Sequence, residues 1–350
     1  METKEILRKL VSFNTIRDNQ NKEIMDYLEE YLKEYGFSTK RVNKCLIAYN
    51  DLKPNIGFLG HTDTVDYESW DRSPLELVEN GDKLIGLGAC DMKGGIAAIL
   101  SAISNVDLNK NKIALYFTND EEISFEGIKN IKDYIVPNNI IIGEPTDNIP
   151  IYGTKGLLEL EIEFYGIKCH SSTPDNGVSA IYECISFIDK IKEYYETVIK
   201  TNICNDFEDI PYTTMNIGMI NGGETINSVP GLCKVTMDFR IANKGDINLL
   251  ENKINELLKD YNTKLNILNK IEPKINYSDI SFIEKISSKK QSKSYLTEGS
   301  FIDKNFIILG PGPNTAHQKN EYIYNSSLLK TKELYEKIVK FYNEEEIWKI

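Results

Sequence analysis

Apolar residues recur every three or four positions in two stretches near the start of the chain. In NKEIMDYLEEYLKEY, residues 21–35, Ile24, Met25, Tyr27, Leu28, Tyr31 and Leu32 fall on one helical face, and Gly36 supplies the stop. The opening METKEILRKLVSFNTIRDNQ has charges scattered through it and reads as a further amphipathic helix. Short continuous apolar runs follow. IGFLG at 56–60, IALYFTN at 113–119 and NIIIG at 139–143 read as buried strands, and GGIAAILSAISNV opens a helix from Gly94 after a glycine-rich turn. Alternating helices and buried strands predict an α/β layer structure around a mixed, mostly parallel sheet with helices on both faces.

From Gly153 the texture changes to period two. LLELEIEFYG, a helix near 177–195, the strand MNIGMI, a GG turn, the strand CKVTMDFRI and a helix over 247–261 give a β-α-β-β-α order. With a fourth strand this is a ferredoxin-like α+β insert. The α/β character returns with FIILGPG at 306–312 and a C-terminal helix from about Ser326. The expected division is a discontinuous α/β domain, 1–153 and 263–350, interrupted by an insert at 154–262. A chain of 350 residues has room for both.

Composition narrows the partners. A net charge of -12 speaks against nucleic acid or an anionic membrane surface, both of which select basic patches. No apolar run approaches the roughly 18 residues of a membrane span, and the N-terminus lacks the apolar core of a signal peptide, so a cytoplasmic protein is expected. Six widely spaced cysteines without a CxxC pair read as reduced thiols. A small-molecule substrate remains as the expected partner.

Candidate chemistry gathers where strands end. His61 and Asp63 follow IGFLG; Asp91 sits in GACDMKGG ahead of a helix; Asp120, Glu121 and Glu122 follow IALYFTN; Glu144 follows NIIIG; His317 comes after FIILG. Each has a plainer reading alone: a hydrogen-bonded histidine, an N-cap aspartate, a solvated charge run. Together they place imidazoles and carboxylates at strand termini, where open α/β sheets collect ligands, in the mixture a dinuclear metal site uses.

The ordered series GHTDTV, GLGACDMKGG, TNDEE, GEPT, CHSSTPDNGVSAI, GGETINSVPG and GPGPNTAHQKNEY spans about residues 57–322. It resembles the acetylornithine deacetylase and succinyl-diaminopimelate desuccinylase family of M20-type metallopeptidase-like amidohydrolases, and HSSTPDNGVSAI and TAHQKNEY look nearest to its acetylornithine deacetylases. The resemblance implies two divalent metal ions, zinc with cobalt as the alternative. His61, Asp91 and Glu144 would hold one ion, and Asp91, Glu122 and His317 the other, with Asp91 as the bridge. Glu144 stands where some members carry Asp, and the oxygen donor is kept. Glu121 would be the general base, Asp63 the partner orienting His61, His170 a lid residue reaching an active site, and Asn227 and Arg240 substrate contacts. By their own spacing, Arg240 reads equally as a surface cation paired with Asp238, and Asn227 as a turn-stabilising side chain.

The implied reaction is hydrolysis of the amide of an N-acyl amino acid such as N-acetylornithine, in a homodimer joined through the lid. Desuccinylation of diaminopimelate and dipeptide or aminoacyl hydrolysis are the alternatives within the family. A non-catalytic metal-dependent binding protein is the alternative outside it, and Glu121 speaks against that, because binding alone needs no base beside the ligands.

Overall fold

The computed structural model describes residues 2–16, 21–67, 70–276, 291–293 and 296–344. The chain forms two compact units, one from Met1–Tyr152, Asn276–Gln291 and Thr297–Ile350, the other from Gly153–Ile275 and Ser292–Leu296. Chain order begins α1 (Thr3–Val11), α2 (Lys22–Glu34), β1 (Ser38–Val42), β2 (Cys45–Tyr49), β3 (Ile56–His61), β4 (Val78–Asn80) and β5 (Lys83–Ile85). It continues with α3 (Lys93–Ile103), β6 (Ile113–Thr118), α4 (Glu126–Ile131), β7 (Asn139–Ile142), β8 (Ile151–Thr154) and β9 (Gly156–Tyr165). Next come α5 (Ala180–Tyr194), β10 (Thr214–Gly222), β11 (Leu232–Ile241), α6 (Asp246–Leu258) and β12 (Thr263–Ile271). The last elements are β13 (Lys274–Ile275), β14 (Gln291–Lys293), β15 (Asn305–Ile308), β16 (Tyr322–Tyr324) and α7 (Asn325–Glu344).

In the first unit the strand order runs β1-β2-β6-β3-β7-β15-β8. The central four strands are mutually parallel, and the β1-β2 hairpin adds to β6 antiparallel. Every residue of β3 and β6 is buried, which is why these strands read as unbroken apolar runs: a strand covered on both faces has no solvent side to make polar. One sheet face carries Phe58, Leu115, Phe117 and Ile141 into a core shared with apolar residues of α1, α2, α3 and α7. On the other face the Tyr116 hydroxyl accepts the Val136 N–H, and Gly299 in the short 3-10 turn Glu298–Phe301 packs against Ile142. Phe301 stacks on Phe125, just ahead of α4, with ring centroids 4.7 Å apart.

Parallel pairing has a consequence for chemistry. The register sets His61 beside Thr118, and Ile142 beside both Leu59 and Ile308, so the carboxyl ends of β3, β6, β7 and β15 come out along one edge. α3 enters the same edge, and its Gly95 touches the strand end so closely that an added Cβ would lie 2.0 Å from the Gly143 carbonyl oxygen.

The second unit is a four-stranded antiparallel sheet in the order β10-β11-β9-β12, with α5 and α6 supplying a βαββαβ path. Burial alternates along β9 and β11, one face polar and the other packed on Phe187 of α5 and Leu250 and Ile254 of α6. The unit reaches Ile275, beyond residue 262, because β12 pairs with β9 along its length. α5 starts at Ala180, three residues later than its apolar pattern suggests, because Ser179 caps it by accepting the Tyr182 N–H. Among the described residues no helix is long and apolar enough to cross a membrane.

The glycine contact at α3 gives a stability prediction. Gly95→Ala sets a methyl against a backbone oxygen that cannot rotate away, so the variant should lose about 1–3 kcal/mol in denaturant unfolding. An unchanged midpoint would show that α3 does not depend on that approach.

Candidate active site

His61 ends β3 with its side chain fully buried. Its Nδ1 lies 3.1 Å from the main-chain oxygen of Asp63 and 3.6 Å from Asp63 Oδ1, so the Asp63 backbone is the nearer orienting group. The Asp63 carboxylate also accepts the Glu122 N–H through Oδ2 at 3.1 Å. It thereby anchors the 120–122 turn, a role that spacing did not signal.

Asp91 occupies the turn before α3. Met92, not Asp91, is the N-cap of that helix, so the Asp91 carboxylate is left for other partners. Its Oδ1 lies 3.0 Å from His61 Nε2, and its Oδ2 lies 3.6 Å from His317 Nε2. Glu144, beyond the end of β7, brings Oε1 to 3.4 Å from His61 Nε2. Glu122 brings Oε2 to 3.1 Å from His317 Nε2. One carboxylate therefore faces two imidazoles with different oxygens, and each imidazole has a second carboxylate of its own.

These distances suit metal coordination. Two donors each about 2.0–2.1 Å from one tetrahedral zinc are about 3.3 Å apart, the middle of the observed spread. His61, Asp91 and Glu122 offer ligand atoms that all lie within 4.8 Å of one another. Asp63 Oδ1 is buried without a hydrogen-bond partner. A pocket so rich in hard oxygen donors and imidazoles fits divalent cations.

The electrostatics agree. Burial disfavours a charged His61 ring, yet Glu144, with Asp63 and Asp91, holds its pKa well above the ordinary imidazole value. Burial raises Asp91 but the neighbouring His61 outweighs it, leaving that carboxyl below its usual range. Burial first, then the Asp91 charge, push Glu144 up to about 8. Glu121 is pushed well above the usual carboxylate range by burial, with Glu144, Asp91 and Glu298 adding to it against His61. His317 is exposed, and its bond to Glu122 raises it. Carboxylates crowded this way repel, and a cation among them inverts that cost.

Sequence reasoning passed over two buried carboxylates. Glu298 is fully buried, and burial lifts it to about 7. Glu321 lies in the motif that ends in His317 and Tyr322, and its carboxylate accepts the Gly88 N–H. Only the motif TAHQKNEY, which contains Glu321, carried any signal.

Three further sequence candidates lie in the second unit. His170 and Asn227 are both exposed and share one strip: His170 bridges to Ser228, and the Ser171 N–H donates to the Asn227 carbonyl at 3.0 Å. Arg240 lies elsewhere. Leu232 pairs with Tyr165 and Arg240 with Leu157, so Arg240 is eight residues, or about 26 Å, further along β11. There it forms a two-point ion pair with Asp238, through Nε at 3.1 Å and Nη2 at 3.0 Å.

Comparison with known proteins fixes the family. Residues 152–265 match the peptidase dimerisation domain of the M20 peptidases. The acetylornithine deacetylase of Buchnera aphidicola is 32% identical, over 94% of this chain and 93% of its own, and that of Photorhabdus laumondii is 33% identical, over 96% of each. This chain belongs to the M20 family of metal-dependent amidohydrolases. Among solved structures, a tripeptidase from Staphylococcus aureus has the same fold, with a TM-score of 0.81 at 19% identity over 98% of both chains. As an M20 amidohydrolase the protein hydrolyses amide bonds with divalent metal.

Metal should be visible in stability. Adding a divalent cation to metal-stripped protein at about 100 times its Kd should stabilise it by about 2.7 kcal/mol, read as a rise in melting temperature. Asp91→Ala takes a donor from both imidazole clusters and should abolish most of that rise; an equal rise in both proteins would refute a shared ligand.

Proposed function

We propose that this M20 amidohydrolase removes the acyl group from an N-acylated amino acid of the N-acetylornithine type, releasing a carboxylate and a free amine, with two zinc ions and cobalt as the alternative metal. The observation that carries the reading is the Asp91 carboxylate set between His61 and His317. Identity to acetylornithine deacetylases along nearly the whole chain supports the substrate class.

When bound, the metals would acidify a water and polarise the scissile carbonyl. Three carboxylates and two imidazoles would hold them: His61, Asp91 and Glu144 on one side, Asp91, Glu122 and His317 on the other. Glu121 faces neither histidine in a hydrogen bond and has its proton affinity raised by burial and by its neighbours' charge. It therefore serves as the group that takes the proton from water and returns it to the leaving amine. The Asp63 bond to the Glu122 N–H fixes the turn that separates these two adjacent roles.

His170 is the proposed oxyanion donor. Its Nδ1 faces Ser172 Oγ at 2.7 Å and the Ser172 N–H at 3.2 Å, contacts that suit Nδ1 as acceptor with the proton on Nε2. A fixed tautomer is what a preorganised donor requires. Asn227, on the same strip, is the accompanying substrate contact. Arg240 would bind a substrate carboxylate only by releasing Asp238.

The second unit is also the proposed homodimer surface. Support comes from the dimerisation-domain match and from exposed apolar side chains on and beside the edge strand β10, including Tyr182 at 75%, Met219 at 58% and Ile220 at 51% exposure.

Glu121→Gln should keep both metals by elemental analysis while losing turnover by about 10²-fold or more. His317→Ala should lose one equivalent. Equal metal loss in the two would overturn the division between base and ligand. Mixing Glu121→Gln with His170→Ala should regain activity through hybrid dimers if His170 serves the partner's site, and no regain places it in its own. N-acetylornithine competed against N-succinyl-diaminopimelate and a dipeptide panel tests the substrate; preference for either rival replaces the assignment.

A further inference from the structure

His317 and Asp91 come from loops far apart in sequence, and their spacing decides whether one carboxylate can reach both imidazoles. The two loops are tied beneath the cluster. β16 pairs antiparallel with β5, Tyr322 opposite Ile85, which lays the segment after His317 beside Gly86 and Gly88. Glu321, 3% exposed, uses both of its acceptor groups there: its main-chain oxygen takes the Gly86 N–H at 3.2 Å, and its carboxylate takes the Gly88 N–H. Gly88 has a φ of +74°, and a Cβ on it would come within 2.7 Å of Thr64 Cγ2, so the turn is built on a glycine. The Lys93 N–H closes the turn on the Gly88 carbonyl at 2.7 Å, with Asp91 inside it.

The His317 side is closed as firmly. Thr315 Oγ1 donates to the Tyr322 carbonyl at 2.7 Å and accepts the Tyr322 N–H at 2.8 Å, pinching the loop at its base. The Thr315 N–H meets Cys90 Sγ at 3.2 Å. Lys93, fully buried, donates from Nζ to the Phe13 carbonyl at 2.9 Å, and the charges of Lys93 and Glu321 act on one another. An acceptor oxygen here satisfies the buried Gly88 amide, which an apolar side chain cannot do.

We propose that Glu321 is a positioning residue that locks the Asp91 turn to the His317 loop and so sets the affinity of the metal site on the His317 side. The proposal rests on the two-metal reading above. Its test is cobalt(II) titration of metal-stripped protein, followed by visible absorption, with circular dichroism as the control for folding. Wild type should take two equivalents; one equivalent only would overturn the two-metal reading itself and this proposal with it.

Glu321→Gln keeps an acceptor for Gly88 and should take both equivalents within a few-fold of wild-type affinity. Glu321→Ala should keep the first equivalent and bind the second about 10–100-fold more weakly, the usual loss when an outer partner of a ligand is removed. If the lone buried ammonium unfolds that variant, Lys93→Met combined with Glu321→Ala removes both charges and should show the same selective loss. Wild-type affinity for both equivalents in a folded alanine variant, equal weakening of the two, or a glutamine variant no better than alanine would each overturn the lock.

Discussion

A single carboxylate, Asp91, has to face two imidazoles at once, and most of the first unit is arranged around that requirement. Its two oxygens lie 3.0 and 3.6 Å from His61 and His317. His61 reaches its place as the last residue of a strand packed on both faces, where the backbone is least free to shift. Asp91 is held by the turn that opens α3, and α3 is held against the end of β7 by a glycine contact too tight for any side chain. A shift in any of these would carry Asp91 away from one of the two imidazoles.

The same crowding makes the metal-free centre costly. Glu121 and Glu144 are both raised in pKa by burial and by neighbouring carboxylates, so the centre holds more negative charge than its surroundings stabilise. Metal relieves this, which couples metal binding to stability as well as to chemistry. Asp63 shows how the arrangement separates roles. Its backbone faces His61 and its carboxylate anchors the turn of Glu121 and Glu122, so one residue keeps two strand ends in register.

The second unit carries a core of its own, with Phe164, Phe187 and Phe239 packed between the sheet and its two helices. Independent cores let the sequence of this unit vary without disturbing His61, Asp91 and His317, all of which come from the first unit. His170 and Asn227 sit on one exposed strip of that unit, whereas Arg240 is committed to Asp238. The Arg240 pairing was legible beforehand, because residues two apart on a strand share a face.

Local sequence determined the strands β3, β6, β7 and β15, the helix after Asp91, and the presence of imidazoles and carboxylates at strand ends, because burial on both faces and tight turns leave marks in consecutive residues. It did not reveal β1, whose STKRV has four polar residues of five at the sheet edge, or the paired strands β4, β5 and β16, which are only three residues each. Its motifs, through the family resemblance, implied the metal ligands with Asp91 as the bridge, whereas the 3.0 and 3.6 Å spacings from Asp91 to His61 and His317 belong to the packed structure. Nor did it mark Glu298, Glu321 or Lys93 as buried charges. Burial of an ionisable side chain, and the distance between loops more than two hundred residues apart, are properties of the packed sheet and its register. No run of neighbouring residues encodes them, so only the tertiary structure decided them.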